Sequence, residues 1–189
     1  MSLRRVGPGD VEAAKAQAKA GGEVAWVSTN DVVTSAFLRL TGCRTGFMAL
    51  DCRGRVEGCR AEQAGNMEFG IIYEPADFAS PALIRQSLSG LRRAARPKTR
   101  LPGTWGRLRA RIAMVTNWAT NSKELALPGC EHVLQVPYMD PGFVPCEICV
   151  VFQPRAGEVA ALSFTTEDVW GRPAEQLAPF GQPLEGMAP

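Results

Sequence analysis

The chain has 189 residues, 46% of them hydrophobic and 21% charged, and a formal net charge of +2. That length suits one domain or one lobe of a larger one, and it buries a sizeable core without staples. The composition excludes extensive disorder, the small net charge gives no ground for a nucleic-acid protein, and no run of about eighteen apolar residues exists to span a membrane.

The opening residues, Met1 to Pro8, hold no apolar stretch of signal-peptide length. Asp10 is placed to cap a helix over 11–19, and Gly21-Gly22 ends it. This segment is alanine-rich and weakly amphipathic, so a surface position is expected. A second helix has a stronger signal. Ser28-Thr29-Asn30-Asp31 sets a hydroxyl three residues before a carboxylate, close to a capping box. Val32, Val33, Ala36, Phe37 and Leu40 then make one apolar face, and Gly42 stops the helix.

Residues 47–52 read as a strand that leaves through the turn Arg53-Gly54-Arg55, and 67–73 as a second. Ser80-Pro81 opens a third helix, with proline at the first helical position; Leu83, Ile84, Ser87, Leu88 and Leu91 form its expected buried face, and Pro97 closes it. A short basic segment after Pro102-Gly103 leads to 112–118, which reads as a strand with a helix as the alternative. Residues 132–138 are expected as another strand. Residues 146–152 and 159–164 fit a hairpin. No internal repeat is present. Helices gather early and strands late, which points to an α+β fold.

Charge is unevenly spread. From Phe78 to Lys123 there is no acidic residue, while Arg85, Arg92, Arg93, Arg96, Lys98, Arg100, Arg107, Arg109, Arg111 and Lys123 all fall there. Such a strip is either a solvated face or an anion site. With only Trp105 and Trp118 interleaved, nucleic-acid binding is disfavoured.

The chain has one histidine, His132, in a strand-like run with no glycine-rich elbow near it to present a serine. A structural or surface role is expected for it, not a catalytic one. Cys130, His132, Cys146 and Cys149 have zinc-like spacing, but Cys146 to Phe152 is an apolar strand-like run. Strand residues three apart point to opposite faces, whereas a zinc C-x-x-C sits on a tight turn. No metal site is therefore expected. Six cysteines without a secretory signal read as reduced thiols, and a cytoplasmic location follows. Ser28 and Thr29 allow two readings: plain helix capping, or an anion site at a helix N-terminus.

In order along the chain, several short motifs resemble those of the BAHD acyltransferases, acyl-CoA-dependent enzymes with the chloramphenicol acetyltransferase fold. Val27-Ser28-Thr29-Asn30-Asp31-Val32-Val33 resembles the helix opening the C-terminal half of that family. Ala49-Leu50-Asp51-Cys52-Arg53-Gly54-Arg55 looks like its D-G-R-x-R strand end, with Cys52 in place of glycine. Gly65-Asn66 and Thr116-Asn117-Trp118 are similar to two further short motifs, and the last two strands to the closing hairpin.

The resemblance implies a mixed β-sheet flanked by helices, with 1–168 forming the C-terminal lobe of a two-lobed fold and 169–189, rich in Pro and Gly, a loose tail. It implies acyl transfer from acyl-CoA to a small-molecule hydroxyl or amine acceptor. Ser28 and Thr29 would meet the CoA phosphates; Asp51, Arg53, Asn66 and Trp118 would be structural residues near the tunnel between lobes.

The family's H-x-x-x-D motif is absent: Val133, Leu134, Gln135 and Val136 follow His132. The D-F-G-W-G loop is replaced by Tyr138-Met139-Asp140-Pro141-Gly142. No residue here is assigned a catalytic role. A fragment, a truncated gene model, or one half of a split or degenerate enzyme is expected, paired with an N-terminal-lobe chain or with itself. The alternative is a non-catalytic binding or assembly module derived from the same fold.

Overall fold

The computed structural model describes residues 1–95, 111–122, 127–140 and 146–184. Arg96, Lys98, Arg100, Trp105, Arg107, Arg109, Lys123 and the Pro141-Gly142 pair lie outside the described residues, as does the expected helix end at Pro97.

Helix α2 (Thr29–Thr41) has both ends written in its sequence. Ser28 Oγ accepts from the Asp31 amide, the Asp31 carboxylate accepts from the Ser28 amide, and Gly42 takes the left-handed cap at φ 62°. Ten of its residues are buried, from Asp31 to Thr41, so it is the central helix of the fold. Helix α1 (Pro8–Ala20) starts earlier than expected. Pro8 supplies the first-turn φ and Gly7 is the N-cap; Asp10 lies inside the first turn, where an acidic side chain suits the helix dipole. Only Val11 of this helix is buried, in keeping with a surface position. Helix α3 (Pro81–Gly90) begins as read, with Ser80 accepting from the Leu83 amide. It stops short of Pro97, because Leu91 turns left-handed at φ 48° and caps it. Ala82, Ile84 and Ser87 form its buried face; Leu83, Leu88 and Leu91 are half-buried.

Seven strands form one mixed sheet: β1 (Ser2–Val6), β2 (Thr45–Asp51), β3 (Glu68–Tyr73), β4 (Ile112–Asn117), β5 (Glu147–Phe152), β6 (Ala160–Phe164) and β7 (Phe180–Pro183). Their order is β3-β2-β4-β5-β6-β1-β7. β4 runs parallel to both β2 and β5; the remaining pairs are antiparallel. The expected α+β class, with a mixed sheet flanked by helices, is what forms. The 146–164 hairpin forms as β5 and β6, and 112–117 is a strand rather than the alternative helix.

The sheet has two apolar faces. On one, α2 lies over β4 and β5 and touches α1 and α3; Phe37, Leu38, Met48, Tyr73, Val115, Cys149 and Val151 meet there. Approach is close: a Cβ on Gly46 would come within 2.7 Å of Leu38 Cδ1. On the other face Ile148, Val150, Phe152, Leu162 and Phe164 form a second cluster, joined by Val136 and Met139. β5 and β6 are thus buried on both sides, which explains their unbroken apolar sequence. Cys146 packs on the second cluster and Cys149 in the first. The two thiols point to opposite faces, as strand alternation requires.

Two expectations are corrected, and one strand was not foreseen. Residues 132–138 do not join the sheet. They run beside the β5–β6 turn, held by Gln135 N donating to Pro154 O (3.0 Å), Gln135 Nε2 to Gln153 O (2.8 Å) and Arg155 Nε to Val133 O (2.7 Å). One backbone bond and two side-chain bonds tie this segment where a strand would use a continuous backbone ladder. Residues 169–184 are not a loose tail. Val169 is buried, α4 (Ala174–Leu177) follows, and β7 pairs with β1. The Phe180 ring meets Trp170 at 5.3 Å and Phe37 at 6.4 Å, both edge-on, and the Arg4 guanidinium lies 4.8 Å over Trp170. Proline and glycine favour loops, yet two aromatic rings outweigh that preference once a core is in reach. β1 itself was missed: five residues with two arginines carry no strand signal until β6 and β7 flank them.

Phe180→Ala is expected to cost about 3–5 kcal/mol, the usual loss for a buried phenylalanine. Urea unfolding measures it. A loss near zero would show that the 169–184 segment does not dock.

Candidate functional site

A groove of about 780 Å³ opens where β2, β4 and β5 end. Parallel strands in α/β layers leave their crevice at these carboxyl ends. Asp51 closes β2; Asn117 and Trp118 close β4; Phe152 closes β5. Met67 and Glu68 enter β3 from the same side, and Gln135 to Pro137 form another wall. Asn30, in the first turn of α2, reaches the groove, with Met48 beneath it.

The turn after β2 is built around Arg53. Its guanidinium binds Asp51 at 3.0 Å, donates from Nε to Gln63 O at 2.8 Å, and donates from Nη2 to Gly65 O. The Arg53 amide also donates to Asp51 Oδ1 at 2.9 Å. One arginine thereby fastens the strand end, the 60–65 loop and the turn before β3, in keeping with the structural pairing of Asp51 and Arg53. The backbone hydrogen bond from Arg53, and after it the Arg53 side chain, holds the Asp51 carboxyl below its ordinary 3.8. Asp51 is a poor proton acceptor for that reason. Arg55, two residues on, is exposed and also lines the groove.

Four of the six residues singled out from the sequence, Asp51, Arg53, Asn66 and Trp118, share this groove. Asn66 stands exposed on the rim, while the bond that fastens its turn runs to Gly65. The Trp118 amide donates to Val151 O at 2.8 Å, leaving its indole at the groove wall. Ser28 and Thr29 sit at the head of α2, beside Asn30 and outside the lining. The Ser28 oxygen accepts from Asp31 N at 3.2 Å, which is the capping role; a hydroxyl in that role keeps its own hydrogen to donate.

Behind the cap, Asp31 is fully buried and accepts from Arg85 Nε (2.8 Å) and Nη2 (2.5 Å). Arg85 lies 3.8 Å over the Trp26 ring. Of the strip's ten basic residues, Arg85, Arg92, Arg93 and Arg111 are described, and three of these four are paired with acids. Arg85 serves Asp31, Arg93 serves Asp77 (2.6 Å) and Glu74 (2.9 Å), and Arg111 serves Glu167 and lies 3.9 Å from Glu147. These three arginines tie α3 to α2, the exit of α3 to the turn after β3, and the start of β4 to β5 and Glu167; among the described residues the cations lining the groove are Arg53 and Arg55, outside the strip.

Sequence reasoning missed Asn30, Arg55, Thr116, Asn117, Gln135 and Phe152 as groove residues. Asn30, Arg55, Thr116 and Asn117 lay within the quoted motifs, at a helix start, in a turn and at a strand end. Nothing local marked Gln135 or Phe152. Among the described residues the lining holds no histidine, lysine or cysteine, and His132 is not part of it. No group of three or more potential metal ligands occurs among the described residues. The same residues include no helix long and apolar enough to cross a membrane.

No protein-family model matches the chain, and no curated protein does. Among solved structures the chain is similar to the crystal structure of vinorine synthase, with a TM-score of 0.60 and 16% identity over 96% of this chain and 48% of that one. The fold is chloramphenicol acetyltransferase-like. The chain spans about half the length of vinorine synthase. At that identity the likeness establishes the fold alone. The condensation domain that releases chains from the enacyloxin polyketide synthase is similar over 94% of this chain and 37% of its own, at 14% identity and a TM-score of 0.45, too slight to build on.

Asp51→Asn tests the ring of bonds around Arg53. A carboxyl held below its ordinary value contributes stability above that value and loses it as pH falls through the folded value. The melting temperature of Asp51→Asn is therefore expected to lie below wild type at pH 7, with the gap closing below about pH 4. Identical gaps at pH 7 and pH 3 would remove the charge from the account.

Proposed function

We propose that this chain is the C-terminal lobe of a two-lobed acyltransferase, whose groove forms one wall of a tunnel for acyl-CoA and a small hydroxyl or amine acceptor. The coverage carries the reading: nearly the whole chain superposes on about half of vinorine synthase. The groove's chemistry supports it. Polar groups from Asn30, Thr116, Asn117 and Gln135 line one space with apolar Met48, Val136 and Phe152. Concave sites for organic ligands have this mixture, and the volume falls in their usual range.

Acyl transfer from a thioester needs a group that takes the proton from the attacking hydroxyl or amine. Asp51 is engaged by Arg53, Glu68 is the lining's other carboxylate, and no histidine lines the groove among the described residues. The base would come from the other lobe. General-base catalysis contributes about 10²–10⁴-fold, so the lobe alone is expected to be nearly inert.

Acyl-CoA, when bound, supplies the activated acyl group. This chain's part is to hold and orient it. Ser28 and Thr29 would donate hydroxyl hydrogens to a phosphate at the head of α2, where the helix dipole favours an anion. Arg55 would add a charge-assisted bond at the groove rim. Trp118 and Phe152 would exclude water from the reacting end. Reduced thiols and a cytoplasmic setting suit such an enzyme.

A second reading is a binding or assembly module. The observation favouring it is the same missing base, together with the half-buried apolar side chains of Phe47, Ile72, Ile112 and Met114 at the β2–β4 end of the sheet. A second lobe or a second copy of the chain would cover that surface.

Titration calorimetry with CoA separates the two. The acyltransferase reading expects measurable binding, weakened about tenfold by combining Ser28→Ala with Thr29→Ala, the equivalent of about 1.4 kcal/mol. Equal affinity in wild type and double mutant would remove both residues from the site. No binding together with a monomeric elution profile would favour an independent module. Mixing with a lobe that bears H-x-x-x-D is expected to restore acyl transfer well above either lobe alone.

A further inference from the structure

Cys52 and Cys59 form a thiol pair that neither the groove chemistry nor the fold uses. Their sulfurs are 3.3 Å apart, both side chains are half-buried, and neither sits in the main core. Cys43 and Cys149 are buried in that core, Cys146 packs on the second cluster, and Cys130 is exposed. Cys52 occupies the place where the D-G-R-x-R pattern has glycine, so this sulfur is a feature of this chain and not of the motif.

The backbone brings the pair together before any covalent bond forms. Arg55 N and Val56 N donate to Cys52 O (3.0 and 3.1 Å), Gly54 N to Cys59 O (2.8 Å), and Cys59 N to Val56 O (3.0 Å). Gly54 and Gly58 take left-handed φ of 67° and 80°, which allows so tight a return. Cys52 Sγ is further oriented by Met67 O at 2.9 Å. A disulfide needs the sulfurs at about 2.05 Å, so roughly 1 Å of movement closes the bond. The loop also has an entrance: Cys59 lines a hollow of about 500 Å³ with Arg55, Glu57, Arg60 and Glu62, wide enough for a small-molecule disulfide to reach it.

We propose that Cys52 and Cys59 are a reversible dithiol–disulfide switch, oxidised by a small-molecule disulfide such as oxidised glutathione, that staples the rim of the groove. The Cys59 thiolate attacks one sulfur of the oxidant, forming a mixed disulfide and releasing one glutathione. The Cys52 thiolate then attacks Cys59 Sγ, forming the Cys52–Cys59 bond and releasing the second glutathione. Two protons leave the protein and two electrons pass to the oxidant, which becomes two thiols. The hydrogen bond with Cys52 holds the Cys59 thiol above its ordinary 9.0, so exchange speeds up as pH rises from 7 toward 9. Because Arg53 and Arg55 lie inside the closed loop, the staple stiffens the segment that carries them into the groove.

The test equilibrates the full chain with graded ratios of reduced to oxidised glutathione, quenches with acid, alkylates, and maps peptides by mass. Cys52 and Cys59 are expected to lose alkylation together and to appear in one disulfide, lighter by two hydrogens, at ratios where Cys130 carries only thiol or glutathione. In Cys52→Ser, glutathione is expected to accumulate on Cys59, because the resolving thiol is gone. Independent glutathionylation of both residues in wild type, or alkylation of both equal to Cys130 at every ratio, overturns the pair. Trypsin reads the effect on the rim: cleavage after Arg55 and Arg60 is expected to slow several-fold on oxidation, and equal rates overturn the staple. These readouts need no CoA, so a failed CoA titration leaves them standing.

Discussion

The structure turns on one buried ion pair. Asp31 has no exposed surface, and its carboxylate accepts from the Ser28 amide and from both Arg85 nitrogens. That single group joins three elements: the chain entering α2, the first turn of α2, and α3, which carries Arg85. Trp26 stacks on the far side of Arg85 and ties down the preceding loop. A buried pair of this kind is not strong evidence for net stability, since desolvation offsets much of the attraction. Its cost lies in being broken, because a lone charge is then left in the core. It therefore specifies position, holding the head of α2 where Asn30 meets the ends of β2 and β4.

The same logic recurs along the sheet. Arg93 joins the turn after β3 to the exit of α3 through Asp77 and Glu74, and Tyr73 Oη and Ser87 Oγ meet at 2.7 Å between β3 and α3. Arg111 joins the start of β4 to β5 and to the 167 loop. Among the described residues of the basic strip, Arg85, Arg93 and Arg111 form separate clasps, each with an acidic residue from another part of the fold. A charge run carries no information about its partners, so these pairings were invisible until the fold placed them.

The groove inherits its character from this framework. Its floor is the carboxyl ends of β2, β4 and β5, central strands of the sheet whose one face packs under α2, and its rim is a turn fastened by Arg53. Those two origins have different stiffness. The floor moves only if the core moves; the rim depends on side-chain bonds at the surface and on the Cys52–Cys59 turn. An acyl-CoA wall would use the floor for shape and the rim for charge, and a change in the rim's covalent state would alter the second without disturbing the first.

The sequence by itself determined the elements whose signals are local. The capping box and Gly42 delimit α2, Ser80-Pro81 starts α3, and the apolar runs become β5 and β6, because capping geometry and burial on both faces depend on a few adjacent residues. In the structure Asp51, Arg53, Asn66 and Trp118 line one groove, where each closes a strand or borders a turn. Tertiary structure alone decided the rest. β1 is a strand because β6 and β7 flank it, and β7 because it finds β1; Pro- and Gly-rich 169–184 docks because Phe180 reaches Phe37 across the chain; residues 132–138 form no ladder because two side-chain bonds and one backbone bond hold them beside a turn. Gln135 and Phe152 reach the groove through tertiary contacts as well. Pairing and docking of this kind rest on contacts outside the local sequence, more than a hundred residues away for β1, β7 and Phe180, and no local pattern of apolar and polar residues encodes which partner will supply them.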